Sequence, residues 1–292
     1  MGRRKPYQLS WATHRLELGR HTCIMGVVNV TPDSFSDGGK FYRRDAAVAR
    51  GEKMAAEGAG IIDVGGESTR PFSQPVSVEE EIHRVVPVIE KLARRISVPI
   101  SIDTTKAEVA RRAVEAGASI LNDVSALRFD PGLAAVAAQH DLPVILMHML
   151  KDPGSMQVRP HYDDLLGEIS QFLAEAINRA QAQGISRSKI IVDPGIGFGK
   201  TVTHNLLLIK HIQAFDALDV PLLIGASRKA FIRKILKAEQ QEDLPTDLPI
   251  VETGSQAVVA AAVLNGAHIV RVHEVANTLA TIKIIDAMLN AR

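Results

Sequence analysis

Residues Ile24 to Gly39 read IMGVVNVTPDSFSDGG, an apolar, β-branched run that breaks at Asn29 into hydroxyls, carboxylates and paired glycines. A buried strand that ends in such a loop delivers the loop to a surface, and rigid scaffolds carry their binding and catalytic groups on loops of this kind. Seven later runs repeat the arrangement. They are Gly60 to Val64 before GGESTRP, Pro99 to Ile102 before DTTK, Ser119 to Leu121 before NDVS, Pro143 to Met147 before HM, Lys189 to Val192 before DPGIGFGKT, Pro221 to Ile224 before GASRK, and His268 to Val270 before RVHE.

Helical patterns separate these runs. Ile82, Val85, Val86, Ile89, Leu92, Ala93 and Ile96 follow helical spacing, behind a capping box read at Ser77-Val78-Glu79-Glu80. Thr105 with Glu108 reads as a second box, and Gly117 as the cap that closes its helix. Leu165, Ile169, Phe172, Leu173, Ala176 and Ile177 mark another helix, with Gly184 beyond it. Strands alternating with helices imply a parallel sheet, and eight units imply a single-domain α/β fold of the (β/α)8 TIM barrel type. A doubly wound sheet would satisfy the count as well. Polar residues after every strand favour the barrel, because its site is built from the βα loops of one face.

A chain of 292 residues, 46% hydrophobic and without a Pro/Gly/Ser-rich linker, can bury one large core. The division expected is an N-terminal extension over residues 1–22, covering the barrel bottom, and the barrel over 23–292. Glu239 to Pro249, EQQEDLPTDLP, reads as an acidic surface loop. A net charge of +1 gives no reason to expect nucleic acid or an anionic membrane as partner, and 4% aromatics leaves few stacking platforms. The single Cys23 fits a reducing compartment, most simply as a small buried residue. Pro6 to Glu17 lacks the continuous apolar stretch of a signal peptide, and Ala257 to Leu264 is too short to span a bilayer, so a cytoplasmic setting is expected.

Several motifs carry less than they suggest. Gly195 to Thr201, GIGFGKT, imitates a phosphate loop, but Pro194 stands where its first glycine belongs. Asp130-Pro131-Gly132 and Asp152-Pro153-Gly154 copy Asp193-Pro194-Gly195 and read as turn or helix-start chemistry. His148, closing a buried run, reads as a hydrogen-bonded core histidine. What remains converges on one mouth: Asp63, Asp103, Asn122 and Asp193 as acids and amides suited to the donor-rich edge of an aminopyrimidine, opposite a cationic rim of Arg228, Lys229, Arg271 and His273 with hydroxyls at Ser227 and Thr69.

With those segments in view the chain resembles the dihydropteroate synthase family, from about His21 to the C-terminus. NVTPDSFSDGG, DVGGESTRP, IDTTK, NDVS, LMHM, DPGIGFGKT, GASRK and RVHE stand in the family's order. The resemblance implies the same barrel, commonly as a homodimer, and a reaction joining p-aminobenzoate to 6-hydroxymethyl-7,8-dihydropterin pyrophosphate. It implies a pterin pocket of Asp63, Asp103, Asn122, Met147, Asp193 and Lys229. It implies a pyrophosphate site of Asn29, Arg271 and His273 with Mg2+ at Asn29, and a p-aminobenzoate slot of Phe35, Thr69, Arg70, Pro71, Phe198, Ser227 and Lys229, completed by Asp37. Asp103, Asp193, Lys229, Asp37 and Arg70 would carry the catalytic roles. Two positions depart from the family's pattern: Ala230 stands where serine is frequent, and Phe72 where glycine is. Two rivals share the barrel, a corrinoid-dependent pterin methyltransferase and a non-catalytic pterin-binding paralogue. Neither needs the two long loops or the Ser-Arg-Lys element, both intact here.

Overall fold

A computed structural model describes residues 4–31, 40–68, 74–239 and 243–291. Two strands come first, β1 Tyr7–Trp11 and β2 His14–Leu18, paired as an antiparallel hairpin. Eight parallel strands follow: β3 Cys23–Asn29, β4 Ile61–Gly65, β5 Ile100–Asp103, β6 Ile120–Asp123, β7 Val144–Met147, β8 Ile190–Asp193, β9 Leu223–Ile224 and β10 Ile269–Val272. Their spatial order is β8-β7-β6-β5-β4-β3-β10-β9. The two ends of that row meet: Val192 bridges to Leu222, and its N–H donates to Pro221 O at 3.0 Å. The sheet is therefore a barrel and the doubly wound alternative falls.

The helices among the described residues are α1 Lys40–Ala56, α2 Val78–Ala93, α3 Ala107–Glu115, α4 Gly132–Gln139, α5 Leu165–Ala182, α6 Val202–Lys210, α7 Ala230–Leu236, α8 Pro249–Leu264 and α9 Val275–Asn290. Ser77 caps α2, accepting Glu80 N–H at 3.2 Å, and Glu79, Glu80 and Glu81 in the first turn suit the positive end of the helix dipole. Pro87 sits inside α2 and cannot donate to the carbonyl of His83. Arg44 of α1 fills the gap, donating to His83 O at 2.9 Å. The second capping box does not form: α3 starts after Lys106, and Ala107 N–H donates instead to the Asp130 carboxylate at 2.8 Å. Asp130 also accepts Gly132 N–H at 2.9 Å, so the Asp-Pro-Gly turn of the next loop does the capping. None of the described helices is long and apolar enough to cross a membrane.

Period-two alternation sorts the strand residues into two cores. Ile24, Val28, Ile62, Val64, Ile100, Ile102, Leu121, Val144, Leu146, Val192 and Val270 point outward and pack under the helices. Met25, Ile61, Ile120, Ile145, Ile191, Leu223 and Ile269 point inward at the lower end, where Leu9, Trp11, Leu16 and Leu18 of the hairpin pack against them.

Candidate active site

The alternation that sends Ile61, Ile120, Ile145, Ile191 and Ile269 inward puts the residues two positions on, Asp63, Asn122, Met147, Asp193 and Arg271, inward as well and one layer higher. Asp103 joins that layer from β5, in register with Asn122 and Gly65. Register thus brings together the strand-end residues singled out from sequence, and the geometry refines their partnerships.

Arg271 is not on a rim opposite the acids, as the sequence suggested, but among them. Its Nε donates to Asp63 at 2.7 Å and its Nη2 to Asp103 at 2.7 Å. Asn122 Nδ2 also reaches the Asp63 carboxylate, at 3.3 and 3.4 Å. The reason is Coulombic: two carboxylates on β4 and β5 leave one low-dielectric place where a guanidinium is strongly held, and β10 delivers Arg271 there. Burial pulls the Arg271 pKa down, but Asp63 and Asp103 outweigh it and leave it raised. Asp103 is raised to about 7, because burial, with Asp63, Glu81 and Asp123 nearby, outweighs the pull of Arg271.

Asp193 ends β8 and is raised to about 6, by burial that outweighs the Gly195 N–H bond and the charges of Lys229, Lys200 and Arg271. Gly195 N–H donates to its carboxylate at 2.7 Å, the same turn chemistry that Asp130 and Asp152 make at their Asp-Pro-Gly sequences. The glycines behind Asp193 are set by neighbouring protein, which explains a phosphate-loop look without phosphate. Gly195 has φ +71°, and a Cβ there would lie 1.9 Å from His148 O. Gly197 has φ +85°, and a Cβ there would press on Lys229 Cδ at 3.1 Å. Lys229 Nζ lies 4.0 Å from the centre of the Phe198 ring, and Phe198 packs with Met147, Val124, Met149 and Met156 as an apolar wall.

The Ser-Arg-Lys element divides its side chains. Ser227 Oγ lies 3.1 Å from His273 Nδ1, joining a residue expected in the aminobenzoate slot to one expected at pyrophosphate. Arg228, in a left-handed conformation at φ +59°, turns off the rim and donates to Glu274 at 2.6 Å. Glu274 also takes Arg50 of α1, which donates in addition to His273 O. Helix α7 starts at Ala230, with Lys229 as its N-cap. Asn29 closes β3 beside Gly65. Phe35, Asp37, Thr69, Arg70, Pro71 and Phe72 lie outside the described residues.

Lys200, which carries no role as part of a phosphate-loop imitation, is buried and in hydrogen bonds. Its Nζ lies 3.0 Å from His148 Nδ1 and donates to Phe198 O at 3.0 Å, and burial, with Lys229, holds its pKa down at about 7 against the opposing pull of Asp193. His148 is the hydrogen-bonded core histidine expected. A lysine directly after GFG, between apolar residues and a helix cap, was the available sequence signal. Arg50 gave none, since only tertiary structure brings α1 to His273.

A barrel with such acids at its mouth defines a class of small-molecule enzymes, and the sequence places it. The pterin binding enzyme family matches residues 25–273, and the chain belongs to that family. Within the family it groups with the dihydropteroate synthases, which are transferases of folate biosynthesis. It is 45% identical over 270 residues to dihydropteroate synthase of Synechocystis sp., covering 92% of this chain and 91% of that one. It is 44% identical over 272 residues to the Escherichia coli K12 protein of the same name, covering 93% of each. The Xanthomonas albilineans dihydropteroate synthase structure with 4-aminobenzoic acid superposes with a TM-score of 0.89 at 42% identity, over 99% of this chain and 100% of that one.

Proposed function

We propose that this barrel mouth condenses p-aminobenzoate with 6-hydroxymethyl-7,8-dihydropterin pyrophosphate, with the exocyclic C–O bond breaking before the amine attacks. The observation that carries it is the pairing of two carboxylates, the buried Asp193 and the partly buried Asp103, with Asn122 between β5 and β8 on the same rim. That set complements an aminopyrimidine edge and, once the substrate's N–H groups replace water, stabilises positive charge on the ring. The C–O electron pair leaves with pyrophosphate, the cation is held over Asp103 and Asp193, the arylamine nitrogen bonds to the methylene carbon, and its proton passes to water. An arylamine is neutral at pH 7, so no strong base is required.

On this reading Met147 and Phe198 form the apolar wall, Lys229 spans the two substrates, and Arg271, His273 and Asn29 face the leaving group. Arg271 would turn part of its fork from Asp103 to phosphate, freeing that carboxylate for the pterin. Phe35, Asp37, Thr69, Arg70 and Pro71 complete the slot from the loops after β3 and β4. Among the described residues no three His, Cys, Asp or Glu side chains converge as a metal cage, and Asn29 offers a single amide oxygen. One hard protein oxygen fits Mg2+, an ion held largely by substrate oxygens and water, and when bound it neutralises charge on the leaving group. The exposed Ile235 of α7 and Ile250 of α8, at 53% and 51%, support pairing with a second copy, and the lone thiol supports a cytoplasmic setting.

Incorporation of labelled p-aminobenzoate, with and without Mg2+, tests the reaction: pterin-dependent, Mg2+-stimulated product is expected, and methyl transfer to a corrinoid would overturn it. A heavy-oxygen label in the bridging position tests the order of events. Scrambling into the pyrophosphate while p-aminobenzoate is withheld is expected; strict retention would sink the early ionisation.

A further inference from the structure

The loop Asp193–Lys200 bends at glycines with φ of +71°, +85° and +67° at residues 195, 197 and 199, so its own backbone does little to fix the Phe198 ring. Something behind it must. Lys200 is 4% exposed. Its Nζ donates to Phe198 O and meets His148 Nδ1, each at 3.0 Å. The His148 end is equally fixed: its N–H donates to Asp193 O at 2.9 Å, and its ring meets Phe172 edge-on at 4.8 Å. Tyr162 holds the next carbonyl, donating from its hydroxyl to Gly199 O at 3.0 Å.

A buried amine is an expensive filler for space that a methionine could occupy, since a lysine must be desolvated and kept in hydrogen bonds. Its advantage is a set of donors at one point, where a loop carbonyl and a ring nitrogen converge. Burial drives His148 far below its ordinary pKa, and Lys200 and Arg128 push the same way, so the ring is neutral and Nδ1 accepts.

We propose that Lys200 is a positioning residue for the aminobenzoate slot, fixing the Phe198 ring beneath Lys229 through the Phe198 carbonyl and the His148 ring. The inference rests on the slot placement above. It assigns Lys200 no contact with substrate and predicts a selective effect: the arylamine partner is held less well while the pterin, gripped by Asp103, Asn122 and Asp193, is not.

The test is a double-mutant cycle of Lys200→Met and Phe198→Leu, read as KM for each substrate, with thermal midpoints recorded alongside. Loss of one buried hydrogen bond predicts a rise of about fivefold to tenfold in the p-aminobenzoate KM of Lys200→Met, and less than about twofold in the pterin KM. If Lys200 acts through Phe198, the double variant should be no worse than Phe198→Leu alone. Equal rises in both KM values, an unchanged p-aminobenzoate KM, or additive effects would overturn the proposal. Should Lys200→Met fail to fold, Lys200→Gln keeps a shorter donor and should show the same split at smaller size; no split overturns it. An unchanged p-aminobenzoate KM in Phe198→Leu would instead remove the slot placement itself, and the inference with it.

Discussion

The lower and upper ends of this barrel use the same strands and the same alternation, yet carry opposite chemistry. At the bottom, Ile61, Ile120, Ile145, Ile191 and Ile269 meet Trp11 and the hairpin leucines in an apolar plug. Some polar groups there are paired: His268 Nδ1 accepts Leu222 N–H at 3.2 Å, and Arg4 binds Thr22, Ala267 O and Asp286, while Trp11 Nε1 and Ser101 Oγ are buried without a hydrogen-bond partner among the described residues. Two residues higher on the same strands stand Asp63, Asn122, Asp193 and Arg271, with Asp103 and Asp193 pushed toward neutrality by burial. One end is organised for stability, the other holds groups in a state suited to a substrate rather than to the folded chain. Each variant below should therefore separate stability from activity, in opposite directions at the two ends.

The largest effect belongs to the plug. Trp11→Ala should cost about 3–5 kcal/mol, the usual range for emptying a buried aromatic site. Denaturant unfolding measures it, and turnover of the folded fraction should be nearly unchanged. A comparable fall in kcat would mean that the ends are coupled and the comparison fails.

Next come the carboxylates. Asp103→Asn and Asp193→Asn should each lower kcat about 10²-fold or more, the scale of a removed preorganised electrostatic group. Stability should move the other way. A carboxyl whose folded pKa is raised favours folding fully below its unfolded pKa and loses that contribution as pH rises through the folded value, near 6 for Asp193. Above that pH the asparagine variant should be the more stable protein. By the same titration, kcat/KM should fall as pH drops through the window between about 7 and 6 set by Asp103 and Asp193. Near-wild-type turnover in either variant would remove that carboxylate from the mechanism.

How much of this contrast the sequence shows depends on range. Strand runs and polar ends are local, so the eight units, the inward acids and the His148 environment could be read from residue types and spacing. The partners of Arg271 could not: sequence offers cations and anions, and only the register of β10 against β3 and β4 decides that this guanidinium falls between Asp63 and Asp103. Capping failed for a similar reason. Thr105 with Glu108 has the right local pattern, but Asp130, a distant residue, reaches Ala107 N–H first. Lys200 shows the opposite error, a lysine passed over with its motif that is buried and held in hydrogen bonds.

The third prediction concerns the bottom alone. Burial holds His268 down at about 4, outweighing its bond to Lys5 O. A histidine kept neutral in the fold takes up a proton when unfolded, so its contribution is complete above about 6.5 and is lost as pH falls from there toward 4. The loss over that interval is roughly 3 kcal/mol, from about 1.4 kcal/mol per pH unit. His268→Gln should flatten this part of the stability profile. An unaltered slope would place the acid sensitivity elsewhere.

The smallest effect sits at the mouth, on Ala230. Helix α7 begins at this residue, with Lys229 as N-cap and no side-chain cap bond. A helix start offers backbone N–H groups to an anion, and alanine retains its own while lacking a hydroxyl. If the p-aminobenzoate carboxylate lies here, a serine would add one bond to a charged group, worth at most about 1.5 kcal/mol at this exposed position where water competes. Ala230→Ser should then lower the p-aminobenzoate KM by about threefold to tenfold and leave the pterin KM almost unchanged. Because Ala230 is solvent-exposed and outside the core, thermal stability should hardly move, so any kinetic change reports the site. An unchanged or raised p-aminobenzoate KM would put the carboxylate elsewhere along the rim and require the slot between Phe198 and Lys229 to be redrawn.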